Sequence, residues 1–513
     1  MKPRKYINSR KNFYVTLYST LLAIIFPIFL ITTKLNSKQE EEQSKLLFEH
    51  NNHSAVIDLN SWLREENLLN TYQIDNVTIN RESELSKAQK PKKDWTLIFY
   101  LAADNDLGPF AVRNIKQMAN VGSTANMNII IHLDIKTLGK KKVTRRFYVE
   151  KEKLIQVNIN DPITQKMDSG DPQTLISCFK WGITNFPANK FALFLWDHGT
   201  GPLDPVTGRI FNANELFTYN ATTNKLDLDR SIGFLEYISI IESLSKLEQR
   251  GICWDDSTGN YLTNQKLDFA LRTICKECLR GGKIDLLGFD ACLMNSIEIA
   301  ATIKKYTHIM VGSQEVVLGS GWNYQKVLVP FLHHSLDPVA FAKHIVQAYD
   351  ETYNVITNDY TQAAISLNHV ELLEKNINSV ATLLIESLKK QRNGAVKRAL
   401  QTSRNKRNCT HFDEPSYIDL GHLYSNVLTN LGQFQFKNTH EEQEIKRSLK
   451  TLLEEGRKII REIVIANKVG KNLRNASGLS IYFPEQRIHP SYKKTSFATS
   501  NHWLSFLTLY LLS

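Results

Sequence analysis

The chain has 513 residues, 42% hydrophobic and 22% charged, with 14 prolines and 23 glycines; this excludes a disordered, collagen-like or low-complexity protein and allows a sizeable core. Lys and Arg outnumber Asp and Glu by 63 to 52, a net +11, but Lys2, Arg4, Lys5, Arg10 and Lys11 supply five of those charges before any acid appears. The rest is spread too thinly for a surface that tracks nucleic-acid phosphates, and six cysteines are too few for a disulfide scaffold at this length.

Residues 12–33 carry no charge, and Lys34 follows. As a helix rising 1.5 Å per residue this run is long enough to cross a hydrocarbon core of about 30 Å. It is long for a signal-peptide apolar region and no small-residue cleavage site follows it. Residues 1–33 are therefore expected to be an uncleaved signal-anchor, with a cleaved signal peptide as the alternative. The basic flank stays cytoplasmic, so the remainder is expected to be exported: held at the membrane outside the cytoplasm, or secreted or periplasmic if the segment is cut. Residues 34–91 are polar and read as a spacer, with a short helix near Trp62–Leu69.

From Trp95 the pattern changes. Apolar, β-branched runs at 97–103, 127–135, 191–196, 284–289 and 308–313 alternate with helix candidates at 109–121, 171–186, 265–280 and 293–306. Runs that are apolar throughout suit a sheet buried on both faces, and the alternation implies parallel crossovers. The expected fold is α/β: a doubly wound, mostly parallel sheet flanked by helices over 92–336, with an insertion at 202–254. An additional helical C-terminal region, 337–513, contains long periodic stretches at 369–391 and 439–468. A late strand at 479–484 is expected to complete the body.

In such sheets function gathers beyond the carboxyl ends of the strands. The first run ends in Asp104-Asn105-Asp106, the third in Asp197-His198-Gly199, the fourth in Asp290-Ala291-Cys292 and the fifth in Ser313-Gln314-Glu315. A helix starting directly after Cys292 would lower its thiol pKa through the helix dipole and unsatisfied N–H groups. A nearby His198 would assist thiol deprotonation and act as general acid. Gly199 lets the backbone approach a substrate carbonyl, and its N–H with that of Cys292 would form an oxyanion hole, worth roughly 3–4 kcal/mol per donor.

Several stretches then resemble the clostripain family of cysteine peptidases: W-T-L-I-F-Y-L-A-A-D-N-D-L (95–107), F-L-W-D-H-G-T-G (194–201), W-D-D-S-T-G-N-Y-L-T (254–263), I-D-L-L-G-F-D-A-C-L-M (284–294), G-S-G-W-N-Y (319–324) and A-S-G-L-S-I-Y-F-P (476–484). The resemblance implies a caspase-like fold and a His198–Cys292 dyad. It also implies endopeptidase cleavage of proteins or peptides after Arg or Lys, and self-cleavage between the two catalytic residues. A pocket for a basic side chain needs a carboxylate at its base. Asp290 matches the family's pocket acid, the alternative being a cap on the next helix. Glu315 is a second wall carboxylate by position, and Ser320 and Asn323 are further lining candidates.

Within 202–254, Lys225, Arg230, Lys246 and Arg250 are the candidate processing sites, with an ordinary helical insertion over 233–249 as the alternative. No cofactor is required by the sequence. Calcium is the one ion the resemblance leaves open, at Asp104/Asn105/Asp106 or Asp255/Asp256, although no EF-hand spacing is present. Cys275 and Cys278 form a lone C-x-x-C without a second pair, and His333-His334 reads as loop surface. Neither G-x-G-x-x-G nor G-x-x-x-x-G-K-[ST] occurs, which counts against a nucleotide-binding domain. A catalytically silent, membrane-tethered interaction protein on the peptidase fold remains the rival reading.

Overall fold

The computed structural model describes residues 56–58, 78–81, 91–136, 142–157, 167–203, 216–230 and 251–513. The apolar segment 12–33, the 62–69 helix, Lys246 and Arg250 lie outside them. No helix among the described residues is long and apolar enough to cross a membrane.

The strands in chain order are β1 (Val56–Asp58), β2 (Thr78–Arg81), β3 (Lys93–Ala103), β4 (Met127–Lys136), β5 (Lys142–Glu150), β6 (Lys153–Val157), β7 (Ala188–Trp196), β8 (Phe217–Asn220), β9 (Lys225–Leu228), β10 (Ile252–Asp255), β11 (Asn260–Leu262), β12 (Ile284–Asp290), β13 (Thr307–Gly312), β14 (Thr361–Ser366), β15 (Tyr417–Asp419), β16 (Val464–Val469) and β17 (Ser480–Tyr482). The central sheet runs β1-β2-β6-β5-β4-β3-β7-β12-β13-β14-β16. Its middle, β4-β3-β7-β12-β13, is parallel throughout. Antiparallel pairs extend it through β5 and β6 on one side and β14 and β16 on the other.

Uniformly apolar runs explain the middle. Leu97 to Ala103 are fully buried, and β4 is buried from Met127 to Ile135, as a sheet covered on both faces requires. Helices Gly108–Val121 and Pro338–Tyr353 pack on one face; Pro172–Asn185, Asn264–Thr273 and Ile297–Ile303 pack on the other. Their starts are written locally. The side chains of Asp171, Thr263, Ser296 and Asp337 each accept a backbone N–H of the first turn, a stabilisation of about 1 kcal/mol apiece. The C-terminal helices Thr439–Ile463 and Trp503–Leu512 both pack on Val370–Lys390, which contacts Ile297–Ile303, and Thr439–Ile463 runs on into β16.

Several expectations need correction. The spacer contributes β1 and β2 to the edge of the sheet. β5 was hidden by its charges: Arg146 is buried, donating to Ser177 Oγ at 3.0 Å with its guanidinium over Trp181. The periodic stretch 439–468 divides, because the helix stops at Ile463 and V-I-A-N-K-V pairs with β14 as an edge strand. The late strand, β17, pairs with β15 in a small sheet apart from the central one and is bridged to Ser296 through Ser480. In place of one helix over 265–280, a π-helical turn, Ile274–Cys278, follows Thr273. The part of the 202–254 insertion that is described is two hairpins, β8–β9 and the start of β10–β11.

Candidate active site

β7 and β12 are parallel neighbours, with Asp290 opposite Trp196. His198 and Cys292 therefore leave their strands at the same level, each two residues beyond that pair. Both line one cleft at the carboxyl edge of the sheet, together with Asp290, Val317, Leu318, Gly319 and Gly321. Gly199 is where the two tips meet: a Cβ there would lie 2.5 Å from the carbonyl oxygen of Cys292. The close approach that requires this glycine is thus to the Cys292 backbone, whereas the sequence suggested a substrate carbonyl.

Cys292 does not stand at a helix N-terminus. The next helix begins at Ile297, capped by Ser296, and Leu293 occupies the left-handed region at φ 63°. The Leu293 N–H donates to Glu315 O at 3.2 Å, which fixes that turn. The thiol is buried; its sulfur accepts the Val317 N–H at 3.2 Å and faces the Val317 carbonyl at 3.7 Å. Burial pushes its pKa up to about 12, with the fields of Asp413, Glu315 and Asp290 adding to the rise. This is the opposite of the dipole-lowered thiol expected from sequence.

His198 is held differently. Its Nε2 donates to Asp106 Oδ1 at 2.7 Å, and its ring lies 5.4 Å from that of Trp254. Burial disfavours the charged imidazole, but the hydrogen bond and field of Asp106, with the fields of Asp197 and Asp256, more than offset this and leave the pKa above its ordinary value. Asp197 accepts Asn105 Nδ2 at 2.7 Å on one oxygen and the Trp254 N–H on the other; burial raises its pKa to about 7. The sequence offered Asn105 and Asp106 only as calcium ligands, and it did not single out Trp254 or Val317 as site residues. Asp104-Asn105-Asp106 and Trp254 fall within noted motifs, but nothing in their spacing pairs them with His198.

Asp290 is buried at 3% exposure. Its Oδ2 accepts the Trp322 N–H at 2.8 Å and the Tyr324 hydroxyl at 2.7 Å, while its Oδ1 has no partner among the described residues. Burial raises its pKa to about 7 against those two hydrogen bonds. It does not cap a helix. Glu315 is fully buried and spent: Oε1 accepts the backbone N–H groups of Val316 and Asp413, both at 2.9 Å, and Oε2 accepts Arg230 Nη2 at 2.6 Å. It does not line the cleft, so a second wall carboxylate is not what Glu315 provides. Ser320 hydrogen-bonds the Tyr353 hydroxyl and Asn323 caps Tyr324–Leu328; Gly319 and Gly321 line the cleft instead.

The oxygen clusters proposed for calcium do not fit an ion. Asp104, Asp134 and Asp255 converge on the ammonium of Lys142, Asp106 is taken by His198 and Asn105 by Asp197. Among the described residues no group of three or more His, Cys, Asp or Glu is arranged to hold a metal. All six cysteines are free; Cys275 donates to Tyr306 O, and His333 and His334 are exposed.

A histidine and a cysteine at adjacent carboxyl tips of an open α/β sheet, beside a buried carboxylate, make the layout of a thiol-dependent acyl-transfer site. The chain belongs to the clostripain family, a family of cysteine peptidases, whose model matches residues 99–225 and 239–508. It is similar to clostripain of Hathewaya histolytica, 25% identical over 266 residues, which is 47% of this chain and spans only 43% of that protein's length. Two solved structures share the fold, both with a TM-score of 0.50. One is a secreted C11 cysteine protease from Bacteroides thetaiotaomicron in complex with an irreversible peptide inhibitor, 17% identical, with 81% of this chain and 99% of that one covered. The other is an inactive zymogen C11 protease from Parabacteroides distasonis, 16% identical, with 82% and 99% covered.

Proposed function

We propose that the protein is an exported cysteine endopeptidase that hydrolyses peptide bonds after Arg or Lys. The observation that carries this reading is Asp290: a buried carboxylate with one oxygen lacking any described partner, lining the same cleft as Cys292 and His198. An isolated buried carboxylate is costly, and a guanidinium or ammonium entering the cleft relieves that cost through a charge-assisted hydrogen bond. In the proposed reaction the Cys292 thiolate attacks the scissile carbonyl, and the oxyanion is met by the N–H groups of Gly199 and Cys292. His198 protonates the departing amine, and water then hydrolyses the thioester.

The thiol's burial and its raised pKa fit a latent form that gains reactivity once the chain is cut between His198 and Cys292. Arg230 is bound by Glu315 and Asp359, and Lys225 by Asn354 O and Asn358. Their side chains are therefore committed elsewhere, which favours Lys246 or Arg250 as the processing residue. Export rests on the apolar segment 12–33 and its basic flank, with the membrane or the exterior as the site of action and proteins carrying basic residues as substrates.

The test is a fluorogenic peptide panel with Arg, Lys, Asp or Leu before the scissile bond, given to wild type and Cys292→Ala. Cleavage after Arg or Lys by wild type alone is expected. No hydrolysis of any basic substrate, by intact or processed chain, would leave the silent interaction protein as the better reading.

A further inference from the structure

We infer that Asp106 is the positioning residue for the catalytic imidazole, so that the proton-transfer unit is Asp106–His198 rather than His198 alone. This rests on the peptidase reading above. Asp106 lies just beyond the tip of β3 and His198 just beyond the tip of β7, and these strands are parallel neighbours, with Leu101 opposite Trp196. The 2.7 Å bond from Nε2 to Oδ1 spans 92 residues of sequence.

The ordinary structural use of an acid at this place is to cap the following helix. Asp106 does not do so. The N-cap of Gly108–Val121 is Leu107, no side chain caps it, and the Leu107 N–H is taken by Asn105 Oδ1 at 2.9 Å. Asn105 also donates to Ala102 O and to Asp197, which sets the turn rigidly and leaves the next side chain directed at the imidazole. Among the described residues His198 is the one hydrogen-bond partner of Asp106. Asp197, next to His198 in sequence, is not an equivalent acid, because Asn105 and the Trp254 N–H occupy its two oxygens.

The chemistry follows from the bond. A carboxylate on Nε2–H fixes the ring against a flip and selects the Nε2–H tautomer, leaving Nδ1 to take up and give back the transferred proton. It also stabilises the imidazolium against burial, as the raised His198 pKa reflects. When the Cys292 thiol passes its proton to His198, and again when His198 gives a proton to the leaving amine, the charge appears and disappears on a ring that Asp106 holds in place. Asp106 acts through the ring and is not a party to either transfer. Since it does not line the cleft, its effect falls on turnover and not on substrate binding.

The test compares wild type, Asp106→Asn and Asp106→Glu as full chains, with an Arg peptide substrate. Asp106→Asn is expected to lower kcat by about 10²-fold, the lower end of what acid–base catalysis contributes, with KM unchanged. Its alkaline limb of kcat/KM is expected to move to lower pH, because His198 loses the group that holds its proton. Asp106→Glu, which keeps a carboxylate, is expected to recover part of both. The His198 pKa, followed by NMR of the imidazole, should fall in Asp106→Asn whether or not the chain turns over substrate; this separates the inference from the peptidase reading, whose own control is Cys292→Ala. An unchanged His198 pKa and alkaline limb in a folded Asp106→Asn would overturn the inference, as would Asp106→Glu behaving like Asp106→Asn.

Discussion

Asp290 closes β12 and Glu315 lies just beyond β13, its parallel neighbour, and both carboxylates are buried. One has an oxygen without a described partner and faces the cleft; the other has both oxygens filled, by Arg230 and by two backbone N–H groups. Position at a strand tip therefore does not decide what a buried acid does. Its supply of partners does: a carboxylate already met by its own chain has nothing left for a ligand, whereas an under-satisfied one remains open to a cation.

Substitution separates the two. Asp290→Ala is expected to lower kcat/KM for an Arg substrate by roughly 10³-fold while sparing a Leu substrate, since a site that has lost its charged partner discriminates steeply. Comparable losses on both substrates would remove Asp290 from the pocket. Glu315→Gln is expected to act on stability instead. Breaking a buried ion pair from one side costs about 3 kcal/mol, so the variant should melt earlier in urea with its Arg-over-Leu preference intact. A changed preference at unchanged stability would return Glu315 to the substrate.

A subtler difference is in pH. Burial holds the Asp290 carboxyl at about 7, and a cationic side chain would select its ionised form. Below pH 7 binding must first remove a proton, so KM for an Arg substrate should rise by about tenfold per pH unit as the pH falls. KM for a Leu substrate should stay flat over that range, and so should KM for Asp290→Asn on either substrate. A flat KM for Arg with wild type would break the contrast.

The smallest change is at Gly321. It sits at φ 60°, and a Cβ there would lie 2.6 Å from Asp290 Oδ2. Gly321→Ala should crowd the carboxylate at a cost of about 1–3 kcal/mol, lowering Arg turnover by about tenfold or more with Cys292 labelling retained.

The parallel middle of the sheet was legible because strands buried on both faces are apolar at every position, as β3 and β4 are. β5 and β16 were not. They lie in the antiparallel wings, where Arg146 and Asn467 interrupt the apolar pattern and long-range pairing, not composition, makes the strand. The placing of His198, Cys292 and Asp290 on one cleft was readable from their strand-end positions. Cys292's high pKa was not, because it comes from burial by the assembled fold and from the fields of Asp413, Glu315 and Asp290, with the Val317 N–H, 25 residues on, working against them. The commitment of Glu315 depends on Arg230 arriving from a hairpin 85 residues away, which no local pattern encodes.

The most direct measurement is covalent labelling. A peptidyl ketone electrophile ending in Arg, its Leu-ended counterpart and the processed protein would be analysed by intact mass and peptide mapping. The account predicts one adduct, on Cys292, formed by the Arg probe, with little from the Leu probe and none from the Arg probe in Cys292→Ala. An adduct on any of the other five cysteines, or equal labelling of Cys292 by both probes, would contradict it.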